Sequence, residues 1–260
     1  MTTSTLFQPR ASRLHAAHPL TKLALTGLFL TLGVALPDIR WLLAAFALLM
    51  LPLAALAGLL LPFLRAAFTV LWPFVLSLSL IQGFFSPGDT PLIEIGRFAM
   101  TTEGLLSGLT VAARLLLALG STLLLMLTTR PDKLMLALRQ KGLPESLTYI
   151  VLTALQIFPR FQDRARVILE SQQARGLEIE VNFLRRLRLL VPMVTPLILG
   201  SIVDVEERAM ALEARAFNHP GAKTSWLELE DDARQRLLRA ALLLAMLALI
   251  VWRVGRLFVP

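Results

Sequence analysis

Apolar residues fill the first half of the chain on every side of any helix drawn through it, rather than on one stripe. Four such stretches, roughly Leu20 to Leu36, Trp41 to Leu61, Ala66 to Phe85 and Leu105 to Leu127, each come near the ~20 residues that cross a ~30 Å hydrocarbon layer, and a fifth runs from about Leu237 to Val254. The first is preceded by Arg10, Arg13 and Lys22 and followed by Val34-Ala35-Leu36, which loosely imitates a cleaved leader. A second apolar stretch follows at once through Pro37-Asp38, so the pattern predicts a retained helical hairpin.

Between Thr129 and Arg239 the pattern changes to apolar residues at helical spacing with polar faces between them. Pro131-Asp132 opens a short helix and Lys141-Gly142-Leu143-Pro144 closes it, with proline in the first turn and glycine just past the end. A second helix is predicted from about Glu145 toward Arg175, carrying a stripe of Leu147, Val151, Ala154, Leu155 and Phe158 and a kink at Pro159. A third is predicted from about Asn182 to Phe217. Its apolar part, Leu189 to Val203, is short for a crossing and contains Pro192 and Pro196, which favours packing against the bundle or lying at the interface.

Charge then orients these elements. With 260 residues, 56% hydrophobic and 17% charged, the composition is that of an all-α polytopic membrane protein. The net charge of +8 is read as a topological signal and not as nucleic-acid binding. Of the 26 Lys and Arg residues, 17 lie between Arg130 and Arg239, which places that segment in the cytoplasm and, four crossings earlier, the N-terminus with it. The loops left outside, Pro37 to Arg40 and Ser86 to Glu103, hold Asp38, Asp89, Glu94 and Glu103 against Arg40 and Arg97. The expected organisation is a membrane bundle over 1–129, long cytoplasmic helices over 130–236 and a last crossing over 237–260. The segment Asp204 to Arg239 has six basic and eight acidic residues and does not by itself report a side.

No phosphate loop, His-Glu-x-x-His pair or Gly-x-Ser-x-Gly elbow is present, so neither an ATPase nor a common hydrolase is written here. With no cysteine and two histidines, His15 and His18, lacking a nearby carboxylate, neither a metal site nor a cofactor is expected; His219 stands apart. Arg114 falls near mid-depth of the fourth crossing and must face a protein interior, a polar cavity or a partner, or else snorkel outward. Gly58, Gly83, Gly104, Gly108 and Gly120 suit close helix packing without forming a convincing Gly-x-x-x-Gly dimer motif.

The chemistry that stands out is two arginines between small residues in helical surroundings, Ala174-Arg175-Gly176 and Ala214-Arg215-Ala216. A lone element of this kind is usually a solvated arginine. Two, both near helix C-termini, would let guanidinium groups reach carboxylates on two copies of a partner, or on two halves of one.

Together with "ALRQKGLP" at Ala137 to Pro144, "TTEGL" at Thr101 to Leu105, "LHAAHPLTKL" at Leu14 to Leu23 and "EARAF" at Glu213 to Phe217, these elements resemble the transmembrane T component of energy-coupling factor transporters, in order and over nearly the whole chain. The resemblance implies a non-catalytic scaffold in the lipid bilayer of a bacterial or archaeal cytoplasmic membrane. It would join two ABC-type ATPase subunits to a small substrate-binding membrane protein, the S component, for uptake of vitamins, vitamin precursors or transition-metal ions. It also implies that Arg175 and Arg215 dock on the ATPases. The second element departs from the commoner Ala-Arg-Gly at Ala216, where a backbone shape that requires glycine would be strained. The S component would meet the apolar face of the coupling helices, for which the candidates are Leu134, Leu138, Leu147, Val151, Phe158, Leu190, Met193 and Leu197. Ordinary packing within the chain competes for every one of these. A self-sufficient secondary transporter or a membrane-bound enzyme would instead require ionisable groups at mid-membrane or convergent titratable residues, and apart from Arg114 the crossings are nearly free of charge.

Overall fold

The computed structural model describes residues 12–86, 90–95, 98–176, 183–217, 219, 221 and 229–258, and the side chains of these except 13, 91–99, 183–193 and 257–258. The chain divides into two compact units, one of residues 4–143 with 229–260 and one centred on 144–228. The boundary falls after the short helix at 131–139, which belongs with the membrane helices, whereas the sequence reading divided the chain at 129/130.

The first unit is helical apart from one hairpin. A single turn, α1 (Arg13–Ala16), leads into α2 (Pro19–Ala35). The second crossing is one rod made of α3 (Ile39–Ala45), a π-helical turn (Phe46–Met50) and α4 (Leu51–Leu56). The wide turn, closed by Leu51 N–H on the Phe46 carbonyl, sits just before Pro52, which has no N–H to donate to the turn behind it. There follow α5 (Leu60–Phe85), α6 (Thr102–Thr128), α7 (Pro131–Arg139) and, after the second unit, α10 (Ala233–Phe258). Among the described residues, 39–56, α5, α6 and residues 233–256 are long and apolar enough to cross a membrane, and α2 is a shorter apolar helix of 17 residues. The protein is an all-α, multi-pass membrane protein. The loop expected outside between α5 and α6 contains the hairpin: β1 (Pro91–Ile95) pairs antiparallel with β2 (Phe98–Thr101).

The core of this unit is a cluster of large side chains, Phe29, Leu42, Met50, Leu59, Phe63 and Leu117, all fully buried. Lipid is as apolar as leucine, so helices here associate through close contact rather than through exclusion of water. The contact between α5 and α6 shows this directly. A Cβ on Gly104 would stand 2.5 Å from the Gln82 carbonyl oxygen, and one on Gly108 would stand 2.9 Å from the Leu78 carbonyl oxygen and the Ser79 Cα. Gly104 and Gly108, four residues apart and both expected to suit close packing, thus form a small-residue seam within the chain. Ser107, between them, donates to Gln82 Oε1 at 2.8 Å across the same seam.

Polar groups close the ends of the helices. Lys22, 5% exposed, donates through Nζ to the carbonyls of Thr128 (2.9 Å) and His15 (3.1 Å), so its charge sits on the carbonyl end of α6. Arg114 donates to the carbonyl of Leu36, the residue closing α2, at 3.4 Å. Asp231 accepts from Arg239 at 2.7 Å and pairs with Lys141 at 3.5 Å, tying the loop after α7 to the start of α10. Burial pushes the Asp231 carboxyl up, but the Arg239 hydrogen bond and charge, with His18 and Lys141, outweigh it and hold it below its ordinary value.

His18 caps α2, its Nδ1 accepting from Leu20 N–H at 3.3 Å, which requires the neutral ring. Burial lowers its pKa below 6.5, Asp231 opposes this, and Arg239, Lys141 and Lys22 add to it.

Two predictions follow from this packing. Gly104→Ala and Gly108→Ala each force α5 and α6 apart and cost about 1–3 kcal/mol, seen as a lower melting temperature. Gly27→Ala, whose Cβ would meet only Met246 Sδ at 3.4 Å, leaves it nearly unchanged. The second concerns pH. Because His18 is held neutral in the folded state, the unfolded chain takes up the proton first, so stability is level above 6.5 and falls as pH drops below it. Melting curves between about pH 7.5 and 5.5 should show this decline in the wild type and a flatter profile in His18→Asn, a cap that does not titrate.

Candidate functional site

The second unit is built on two long helices, α8 (Glu145–Ala174) and α9 (Phe183–Ala214). Each continues through its prolines, Pro159 in α8 and Pro192 and Pro196 in α9. Among the described residues α9 is not one of the helices long and apolar enough to cross a membrane.

Among the described residues, the helices meet at a charged point. Arg164 of α8 donates Nη1 to Asp204 Oδ2 at 2.8 Å and Nη2 to Oδ1 at 3.4 Å, and Gly200 leaves room for the guanidinium, since a Cβ there would stand 3.0 Å from Nη1. Near the start of α8, Tyr149 packs on Phe217 just beyond the end of α9, ring centroids 5.1 Å apart. Residue 164 opposite 204 and 149 opposite 217 make the pair antiparallel. A groove of ≈ 540 Å³ lies along it, walled by Ile157, Arg160, Phe161, Val205, Glu207 and Arg208 beside the ion pair.

The two arginine elements occupy the two C-termini. Arg175 closes α8, with Gly176 next in left-handed conformation (φ 90°) and its N–H on the Gln173 carbonyl at 2.9 Å. Arg215 follows α9, with Ala216 also left-handed (φ 54°). Ala216 N–H bonds the Glu213 carbonyl at 2.9 Å and Phe217 N–H bonds the Leu212 carbonyl at 3.0 Å, which is the Schellman closure. The same short bond therefore turns the chain after both arginines. Ala174, Arg175, Gly176, Ala214, Arg215 and Ala216 are all exposed, and among the described residues neither guanidinium has a hydrogen-bond or ion-pair partner.

Their placement is symmetrical. Arg164 precedes Arg175 by eleven residues, and Asp204 precedes Arg215 by eleven. At 1.5 Å per residue each arginine stands ~16 Å from the crossing, and because the helices are antiparallel they lie at opposite ends, up to ~33 Å apart along the axes. Neither Arg164 nor Asp204 is singled out by local pattern, since charged residues recur along both helices. The equal offset was the signal that could have singled them out.

The apolar candidates separate by exposure. On α8, Leu147 (50%), Val151 (39%) and Phe158 (62%) are exposed, joined at helical spacing by Ile150 and Leu155. In the first unit, Leu134 and Leu138 of α7 are half-buried. Leu197 is 6% exposed and has no surface left to offer a partner. Leu190 and Met193 lie outside the residues whose side chains are described. Arg114 belongs to the first unit and closes α2, so it serves a helix end there. Among the described residues no group of His, Cys, Asp or Glu could hold a metal ion.

Ala216 is the point of strain, and it yields a direct test. An L-residue in the left-handed region costs roughly 1–2 kcal/mol, so Ala216→Gly should stabilise the end of α9 by about 1 kcal/mol and Gly176→Ala should destabilise the end of α8 by a similar amount. Hydrogen-exchange protection of the last turn of each helix should move in opposite directions in the two variants.

Comparison with known proteins gives this geometry a family. The family described as cobalt transport protein (CbiQ) matches residues 10–226. The energy-coupling factor transporter transmembrane protein EcfT of Heliobacterium modesticaldum is 28% identical over 256 residues, covering 95% of this chain and 96% of that protein. The protein of the same name from Thermosediminibacter oceani is 29% identical over 224 residues (80% and 82%), and that of Lactococcus lactis subsp. cremoris is 25% identical over 258 residues (94% and 95%). With an antiparallel helix pair ending in two matched arginine elements and relatives of this name aligned along almost their full length, the chain belongs to the CbiQ/EcfT family of energy-coupling factor transmembrane proteins.

Proposed function

We propose that the protein is the scaffold through which two ABC-type ATPase subunits drive a substrate-binding S component, for uptake of a vitamin, a vitamin precursor or a transition-metal ion. The observation that carries this reading is the symmetry of the second unit: two helix ends of the same construction, each eleven residues from a shared crossing, each presenting one exposed guanidinium. Two equal sites at opposite ends of one antiparallel pair suit two copies of one partner. A helix C-terminus followed by a tight left-handed turn presents the arginine with little backbone freedom, and its planar fork suits a carboxylate in a groove.

On this reading α8 and α9 lie on the cytoplasmic side with the N-terminus, in agreement with the 17 basic residues between Arg130 and Arg239. Approach or separation of the ATPases moves the two ends, and the crossing at Arg164 and Asp204 converts that into a change of angle between α8 and α9. The exposed stripe of Leu147, Ile150, Val151, Leu155 and Phe158 offers the S component an apolar face that moves with α8, with Leu134 and Leu138 as further contacts from α7. Substrate chemistry then belongs to that other polypeptide. Catalysis belongs to the ATPases, in keeping with the missing phosphate loop.

The test is co-purification from native membranes with a tagged chain, comparing wild type with Arg175→Ala/Arg215→Ala. ATPase subunits should accompany the wild type and be largely lost from the double variant, with uptake abolished. Single Arg→Lys variants, which keep charge but lose the fork, should show intermediate loss. Unaltered uptake in the double alanine variant would remove the proposed role, and a wild type that brings no ATPase would remove the function.

A further inference from the structure

A cavity of ≈ 150 Å³ opens at the end of the first unit where α2 begins and α6 runs into α7. Its wall carries Lys22, Arg130, Lys133, His15 and His18, with Glu230 as the one acid among the described residues. Arg130 is already held by Asp132 through bonds of 3.1 and 2.9 Å, so Lys22 and Lys133 face Glu230 with one positive charge in excess. Lys22 is almost fully buried and gives two of its three N–H groups to carbonyls, which leaves one.

The second observation is a hydroxyl. Thr129, on the same wall and 6% exposed, has an Oγ1 with no hydrogen-bond partner among the described residues. A buried hydroxyl left unbonded costs free energy unless something in the cavity completes it. A donor hydroxyl beside two ammonium groups, in a concavity with a charge excess, is the donor set of a site for a phosphate oxyanion.

We propose that this cavity binds the phosphate of an anionic phospholipid headgroup, held by Lys22, Lys133 and Thr129. The choice of lipid over free phosphate comes from depth: α2 and α6 are apolar helices, and the cavity lies where both end, at the level of the headgroups. The proposal rests on α2 and α6 lying in the membrane and is independent of ATPase docking. A headgroup here bridges α1, the end of α6 and the start of α7, so lipid composition tunes how firmly α7 is held to the bundle.

The experiment is native mass spectrometry of the purified full chain released from micelles doped with phosphatidylglycerol or phosphatidylcholine. Wild type should retain phosphatidylglycerol preferentially, by roughly fivefold for the one positive charge in excess, which Lys133→Gln removes. Lys133→Gln/Thr129→Val should retain both lipids equally. The fold persists in that variant, because Lys133 is exposed and valine matches threonine in shape, and circular dichroism checks it. Lys133→Arg should keep the preference. A wild type that retains both lipids equally overturns the proposal, and a preference that survives the double variant places the anion elsewhere and overturns it too. A melting temperature raised by inorganic phosphate, without lipid preference, assigns the site to free phosphate and overturns the lipid. Each outcome leaves the ATPase co-purification result untouched.

Discussion

A helix leaves its last carbonyl groups without partners, and in a chain that lives partly in lipid those groups cannot be left to water. Much of what distinguishes this protein answers that constraint. Lys22 closes α6, and Arg114 closes α2. At three other ends the backbone turns left-handed and closes on itself, after α7 at Gly142, after α8 at Gly176 and after α9 at Ala216. The last two closures also present Arg175 and Arg215. The same device that ends each helix in hydrogen bonds also fixes the backbone that carries its arginine.

The two units are held by different physics. In the membrane unit apolar area earns little, so α5 and α6 approach through Gly104 and Gly108 until backbone touches backbone, and Ser107 spends its hydroxyl on Gln82 across the seam. In the second unit α8 and α9 share one ion pair whose members are both half exposed, a contact worth no more than ~1 kcal/mol in stability. Its value is geometric. A bidentate guanidinium–carboxylate pair fixes which turns of the two helices lie against each other.

Small departures from pattern are informative in this light. Alanine at 216 occupies the position where glycine is easiest, yet the chain still makes the left-handed turn, because two backbone hydrogen bonds and the packing of Phe217 on Tyr149 hold it there. The strain is local and modest. A mid-membrane guanidinium is expensive and needs a protein interior, a polar cavity or a partner, and Arg114 lies where the carbonyl end of α2 needs a donor.

The sequence by itself determined the class and the number of apolar helices, since unbroken runs of about twenty apolar residues have few other uses. It also located the proline-opened, glycine-closed α7 and both arginine elements, because proline and glycine act on their own backbone and are legible one residue at a time. Tertiary structure decided what depends on pairs. That Gly104 and Gly108 face α5, that Lys22 reaches Thr128 106 residues away, and that Arg164 meets Asp204 at equal distance from both arginines are relations between segments. The hairpin at Pro91–Thr101 belongs with them, a local pairing hidden because its residues carry no strong alternation. Periodicity reports which face of a helix is apolar, and only the folded chain decides what that face meets: Leu197 is buried while Phe158, on the same kind of stripe, stands in the open.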